Sequence, residues 1–185
     1  MLSFTYERRF EGHPAYTELW GIRKSIREMG NRMRKSSYSE REAARSRINH
    51  LRERATELEI QINEDLFSGA RVIASTLVSS NHRILTGRRF TTLFIDEAAQ
   101  ALEAACWIAI RKADRVIFAG DHCQLPPTIK CIEAARNGLE QTLMEKVAAN
   151  KQETVSLLKV QYRMHQSIMQ FSSEWFYQGE LQAAP

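Results

Sequence analysis

The chain has 185 residues, 43% of them hydrophobic and 26% charged, with a formal net charge of +4. That is the composition of an ordinary soluble globular protein, with enough chain for one core and an appendage and a mild lean toward polyanions. No apolar run approaches the roughly 18 residues of a membrane span, and the N-terminus lacks a signal-peptide apolar region. No membrane partner is therefore expected, and the expected site is intracellular: the cytoplasm, or the nucleus in a eukaryote. Cys106, Cys123 and Cys131 are odd in number and contain no Cys-x-x-Cys pair. They read as reduced thiols without a metal.

Residues 1–12 show no period and are expected to be an irregular lead-in. Residues 13–66 form the next division. A helix can open at His13-Pro14, where proline suits a first turn, and Leu19, Ile22, Ile26, Met29 and Met33 then recur at spacings of three and four. The polar run Lys35-Ser36-Ser37-Tyr38 breaks this seam. Ser39 with Glu42 fits a capping box for a second helix, whose seam is Ala44, Ile48, Leu51, Ala55, Leu58 and Ile62. Two seams joined by a short polar turn predict an antiparallel helical hairpin. Its outer faces are rich in arginine, from Arg23 and Arg27 to Arg52 and Arg54, and glutamates balance them only in part. Such a surface is either a solvated face with local ion pairs or a lever against a nucleic-acid backbone.

Residues 67–185 change to an α/β texture. Strands are expected at 71–76, 91–96, 115–119 and 154–158, with helical stretches at about 98–110, 139–149 and 166–177. Strands separated by helices of this length predict a parallel sheet. The run Thr91-Thr92-Leu93-Phe94-Ile95 reads as a strand buried on both faces, leading into Asp96 and Glu97 at its carboxyl end. Ligands of open α/β sheets sit at that end. One carboxylate can hold Mg²⁺ while the other reaches a water, the division that nucleotide hydrolysis requires. Taken alone, the pair also fits a strand end followed by an acidic first helical turn.

The next strand runs into Gly120-Asp121-His122-Cys123-Gln124-Leu125-Pro126-Pro127-Thr128. This places Asp121 and Gln124 at a neighbouring strand end over the same crevice. A neutral amide there can orient a water or sense a terminal phosphate. A third block, Gln161-Tyr162-Arg163-Met164-His165, follows the last strand. Arg163 offers a fixed planar charge for a developing phosphoryl anion, Tyr162 a flat face for a base, and Gln161 two hydrogen-bonding groups. His165 has no metal-ligand neighbours and reads as a helix N-terminal or structural residue.

These three blocks, in this order, resemble motifs II, III and IV of the first RecA-like domain of superfamily 1 helicases. The branch is the Upf-like one, which includes the nonsense-mediated-decay RNA helicase and its DNA-acting relatives. The resemblance implies a partial RecA-like P-loop NTPase sheet carrying an inserted antiparallel helical hairpin, the stalk. It implies ATP and Mg²⁺ as cofactors, with Asp96 holding Mg²⁺ and Glu97 acting as general base. Gln124 would contact the γ-phosphate or the attacking water, Arg163 would stabilise the transition state, and Tyr162 would lie near adenine. Asp121, Pro127 and Thr128 would couple nucleotide to the bound strand, and Thr76 would meet one of its phosphates. Single-stranded DNA or RNA and a second RecA-like domain of the same parent are the implied partners.

The 185 residues contain no Gly-x-x-x-x-Gly-Lys-[Ser/Thr] loop to cradle phosphates. The expectation is therefore a piece of a longer ATP-dependent helicase or translocase, inactive in hydrolysis by itself. The rival expectation is a non-catalytic module that binds nucleic acid or protein through the basic hairpin.

Overall fold

The computed structural model of the protein describes residues 4–33 and 38–184. The chain divides into two compact units, Met1–Ala74 and Ser75–Pro185.

The first unit is helical. Residues expected to be irregular form a short helix, α1 (Tyr6–Glu11). The main pair is α2 (Tyr16–Met33) and α3 (Tyr38–Ser68). Of the expected polar break, residues 35–37 lie outside the described residues, while Tyr38 already opens α3 and Ser39, the expected cap, sits within it. Helix α2 starts two residues after Pro14: the His13 carbonyl accepts from the Tyr16 N–H at 2.9 Å, and its ring from the Ala15 N–H at 3.2 Å. The imidazole thus satisfies an N–H that the helix start would leave open.

Glu18 meets Arg54 at 3.0 Å and His13 meets Asp65 at 3.2 Å, so α2 and α3 run antiparallel. Leu19, Ala55, Leu58 and Ile62 are buried together, with Phe10, Tyr16, Ile22 and Leu66 packed around them. The seam is tightest at this end. Toward Arg32 and Arg47 it opens into a groove bordered by Gly21, Ser25, Met29 and Leu51. Part of the basic surface stitches the helices: Arg23 reaches Glu59 at 2.7 Å, and Arg54 bridges Glu18 and Glu57. Those two carboxylates hold the Arg54 guanidinium above its ordinary pKa.

The second unit mixes helices with two small parallel sheets. Strand β1 (Phe90–Ile95) pairs in parallel with β2 (Ala113–Phe118), with Leu93 opposite Val116 and Ile95 opposite Phe118. Helix α4 (Glu103–Ile110) connects them. After a single turn, α5 (Ile132–Ala134), and a wide turn through Gly138 (φ 94°), helix α6 (Leu143–Asn150) follows. Strand β3 (Val160–Gln161), helix α7 (Gln166–Phe176) and strand β4 (Gln182–Ala183) form a second parallel crossover.

The core of this unit lies on one face of β1 and β2. Ile95, Ala98, Cys106 and Leu143 are buried there, with Leu93, Val116, Phe118 and Val147 against them. The period-two alternation sends Phe94 and its partner Ile117 to the other face, where they are 68% and 37% exposed. The strand expected to be covered on both faces is thus covered on one. The runs 71–76 and 154–158, expected to be strands, are not strands: residues 72–76 and 155–158 are irregular. Among the described residues β1 has only β2 as a neighbour, so neither segment has a ladder to join. Val72 and Leu158 accordingly remain 86% and 85% exposed.

Helix α6 owes its position to a capping box. The Thr142 hydroxyl accepts from the Glu145 N–H at 3.2 Å, and the Glu145 carboxylate accepts from the Thr142 N–H at 2.7 Å. Thr142 is 1% exposed. Replacing Thr142 by Ala is expected to lower stability by about 1–2 kcal/mol, with Ser restoring most of the loss. Urea unfolding midpoints of the three proteins check this.

Candidate active site

The two turns that leave the carboxyl end of the larger sheet are laced together. The Ala119 N–H donates to the Ile95 carbonyl at 2.8 Å, and the Ala98 N–H donates to the Ala119 carbonyl at 2.9 Å. Asp96–Glu97 and Gly120–Asp121 therefore emerge side by side from β1 and β2. Closeness is obligatory here. A Cβ on Gly120 would lie 2.9 Å from the backbone nitrogens of both Ala98 and Ala99.

Strand β1 ends at Ile95, so the two carboxylates are presented by a turn. Asp96 Oδ1 accepts the Glu97 N–H at 3.0 Å. Glu97 has φ 50° and ψ 38°, a left-handed conformation that an L-residue adopts at a cost of about 1–2 kcal/mol. Gln100 donates its amide to the Glu97 carboxylate at 3.3 Å. Both acidic side chains are exposed. Among the described residues no cluster of three or more His, Cys, Asp or Glu could cage a metal ion. An exposed single carboxylate suits Mg²⁺ all the same, because that ion ordinarily keeps waters and phosphate oxygens as its other ligands.

The loop after β2 is organised by Asp121. Its Oδ1 accepts the Cys123 N–H at 3.0 Å, while its Oδ2 accepts the Gln124 side-chain amide at 2.8 Å and the Tyr177 hydroxyl. Burial pushes the Asp121 carboxyl upward, but the donors from Tyr177, Gln124 and Cys123 outweigh it and leave the group below its ordinary value. Because the ionised carboxylate only accepts, the Gln124 nitrogen must face Asp121. The amide oxygen is left as the group that can accept from a water. Pro127 is buried and Thr128 exposed, so the stiff part of the loop is packed and its hydroxyl is accessible.

Block three is a self-closed loop. Gln161 Oε1 accepts the N–H groups of Arg163 and Met164 at 2.9 and 2.8 Å, and its amide nitrogen donates to the Met164 carbonyl at 2.6 Å. The carbonyl oxygen and one N–H of the Gln161 side chain are thus spent on shaping the loop. Tyr162 is 86% exposed and the Arg163 side chain is exposed as well. His165 caps α7 through Nδ1, which accepts from the Ser167 N–H at 3.3 Å, as expected of a helix N-terminal histidine. Thr76 sits elsewhere in this unit. Its hydroxyl donates to Ser79 Oγ at 2.8 Å and accepts the Ser79 N–H, closing the turn at Val78–Asn81.

Sequence reasoning missed Tyr177. It lies 56 positions from Asp121, outside all three blocks, and no local spacing announces the contact.

Comparison with known proteins supplies the family. Residues 9–131 match one AAA domain profile and residues 139–185 match a second of the same description. The chain belongs to this AAA domain family, in the Upf-like branch of helicase superfamily 1. It is 38% identical over 170 residues to the DNA-binding protein SMUBP-2 of Mesocricetus auratus, covering 89% of this chain and 17% of that protein. Against the DNA replication ATP-dependent helicase/nuclease DNA2 of Xenopus laevis it is 40% identical over 121 residues, 65% of this chain and 11% of that protein. The Regulator of nonsense transcripts 1 homolog of Drosophila melanogaster is 41% identical over 118 residues, 63% of this chain and 10% of that protein. The chain thus spans less than a fifth of each of these three relatives. No described helix is long and apolar enough to cross a membrane.

Proposed function

We propose that this chain belongs to an ATP-dependent helicase or translocase that moves on single-stranded DNA or RNA. The observation that carries the reading is the laced pair of turns. It brings two carboxylates, one in a left-handed conformation, to the strand end beside the Asp121–Gln124 loop. Backbone strain retained at such a place is characteristic of sites where geometry serves chemistry.

Asp96 would hold Mg²⁺ through the carboxylate oxygen not engaged by the Glu97 N–H. That ion, when bound with ATP, supplies charge neutralisation on the phosphates. Glu97 takes the proton of the attacking water. Gln124, its nitrogen committed to Asp121, orients that water or the γ-phosphate through its oxygen. Arg163 places a guanidinium against the developing charge, and the exposed Tyr162 ring offers adenine a stacking face. Pro127 and Thr128 carry the same loop toward the strand, and Thr76 reaches one of its phosphates. Residues 67–185 are then the partial RecA-like domain and residues 13–66 an inserted stalk. A phosphate-cradling loop and a second RecA-like domain come from the rest of the parent.

The test is phosphate release from ATP by the longest polypeptide the gene encodes, with and without single-stranded DNA or RNA. The 185-residue chain runs beside it. Strand-stimulated release by the long form and none by the chain is the expected result. Silence from both would favour the binding-module reading of the basic hairpin. Turnover by the chain alone would overturn the dependence on a separate phosphate cradle.

A further inference from the structure

The end of α7 reaches back to the loop that carries Gln124. Backbone geometry fixes the reach: the N–H groups of Tyr177 and Gly179 both donate to the Ser173 carbonyl, at 3.0 and 2.8 Å. Gln178 and Gly179 then turn the chain away with φ of 55° and 76°. Tyr177 is thereby held at the last point of the helix, where its hydroxyl donates to Asp121 Oδ2. The same oxygen accepts the Gln124 amide, and Cys123 Sγ lies 3.8 Å from the Phe176 carbonyl. Two contacts therefore join the C-terminal end of α7 to residues 121–124. The N-terminal end of α7 begins directly after the Gln161–His165 loop.

We propose that Tyr177 is a positioning residue: by holding Asp121 it sets the orientation of Gln124, and through α7 it ties the Gln124 loop to the Arg163 loop. The inference rests on the function proposed above and names a residue outside the three blocks. Burial, and then the Asp121 carboxylate, push the Tyr177 phenol well above its ordinary pKa, so it remains a donor throughout the neutral range. Asp121 has two lone-pair-bearing oxygens and three donors on them. Removing the phenol hydroxyl leaves Oδ2 held only by the Gln124 amide, so that the two can turn together about the bond that the Cys123 N–H makes to Oδ1.

The clamp is read first in the 185-residue chain, without nucleotide. In a Cys131→Ser background, with Cys106 only 1% exposed, labelling by Ellman's reagent reports Cys123. Tyr177→Phe is expected to speed that labelling about tenfold, the scale that one hydrogen bond to a charged group controls. Unchanged labelling overturns the clamp, whatever hydrolysis does. In the longest encoded polypeptide, Tyr177→Phe is expected to lower kcat for ATP about tenfold with KM within twofold. Combined with Gln124→Ala it should cost nothing beyond Gln124→Ala alone, since both act through one amide. Additive losses, or an unaltered kcat, overturn the positioning role while leaving the proposed function intact. No hydrolysis by the unsubstituted polypeptide defeats the proposed function and the positioning role with it, and the thiol readout still decides whether the clamp exists.

Discussion

Glu97→Gln in the longest polypeptide that the gene encodes is expected to reduce strand-stimulated ATP hydrolysis by about 10²–10⁴-fold while ATP still binds. The amide keeps the size of the side chain and can accept the Gln100 hydrogen bond, now seen at 3.3 Å to the carboxylate. It cannot take a proton from water. Asp96 and its bond to the residue-97 N–H are untouched, so the oxygen proposed to hold Mg²⁺ stays where it is. Initial rates of phosphate release, beside equilibrium binding of a fluorescent ATP analogue, separate the two properties. Unchanged turnover would remove Glu97 from the chemistry. A parallel loss of binding would mean that Glu97 helps to hold the nucleotide and that the separation of roles between the two carboxylates is wrong.

Gly120→Ala is expected to destabilise the second unit by about 3 kcal/mol, the upper part of the range for overpacking. The added carbon would stand 2.9 Å from two backbone nitrogens and 3.1 Å from Met144 Sδ. A methionine side chain can move aside. The nitrogens of Ala98 and Ala99 cannot, because Ala98 is bonded to the Ala119 carbonyl and both residues are buried. Relief would require the two turns to part, which separates Asp96–Glu97 from Asp121–Gln124. For a unit of this size the melting temperature should fall by roughly 10 °C or more. Calorimetry of the 185-residue chain measures it. Gly30→Ala is the contrasting case: that helical glycine has open space around its missing Cβ, so alanine should be neutral or mildly stabilising. A stable Gly120→Ala protein would show that the lacing of the turns is not a tight constraint.

Sequence made some of this architecture legible because periodicity and local chemistry carried it. Three-and-four spacing put Leu19 on one helical seam and Ala55, Leu58 and Ile62 on another, and these residues are buried together. The apolar run before Asp96 marked β1, and the matching run before Gly120 marked β2. The same reasoning overreached at 71–76 and 154–158. A β-favouring run becomes a strand only where a partner strand offers hydrogen bonds, and local pattern cannot count partners. It also misjudged Phe94, since a short apolar run does not say whether one face or two will be covered. At the site, residue types were legible but their commitments were not. Gln161 carried no sign that its amide would be consumed by its own loop. Tyr177 carried none that it would cross to Asp121, because contacts between distant segments leave no local spacing.

The closed Gln161 loop changes what ligand binding has to organise. Three hydrogen bonds from one side chain already hold the backbone from Gln161 to Met164. Ordering these four residues from a flexible state would cost roughly 4–8 kcal/mol of backbone conformational entropy, and folding has met that cost beforehand. What remains mobile at Arg163 is the side chain, with about 2 kcal/mol of rotamer entropy. An anion arriving there would therefore have to still one arginine rather than a whole segment.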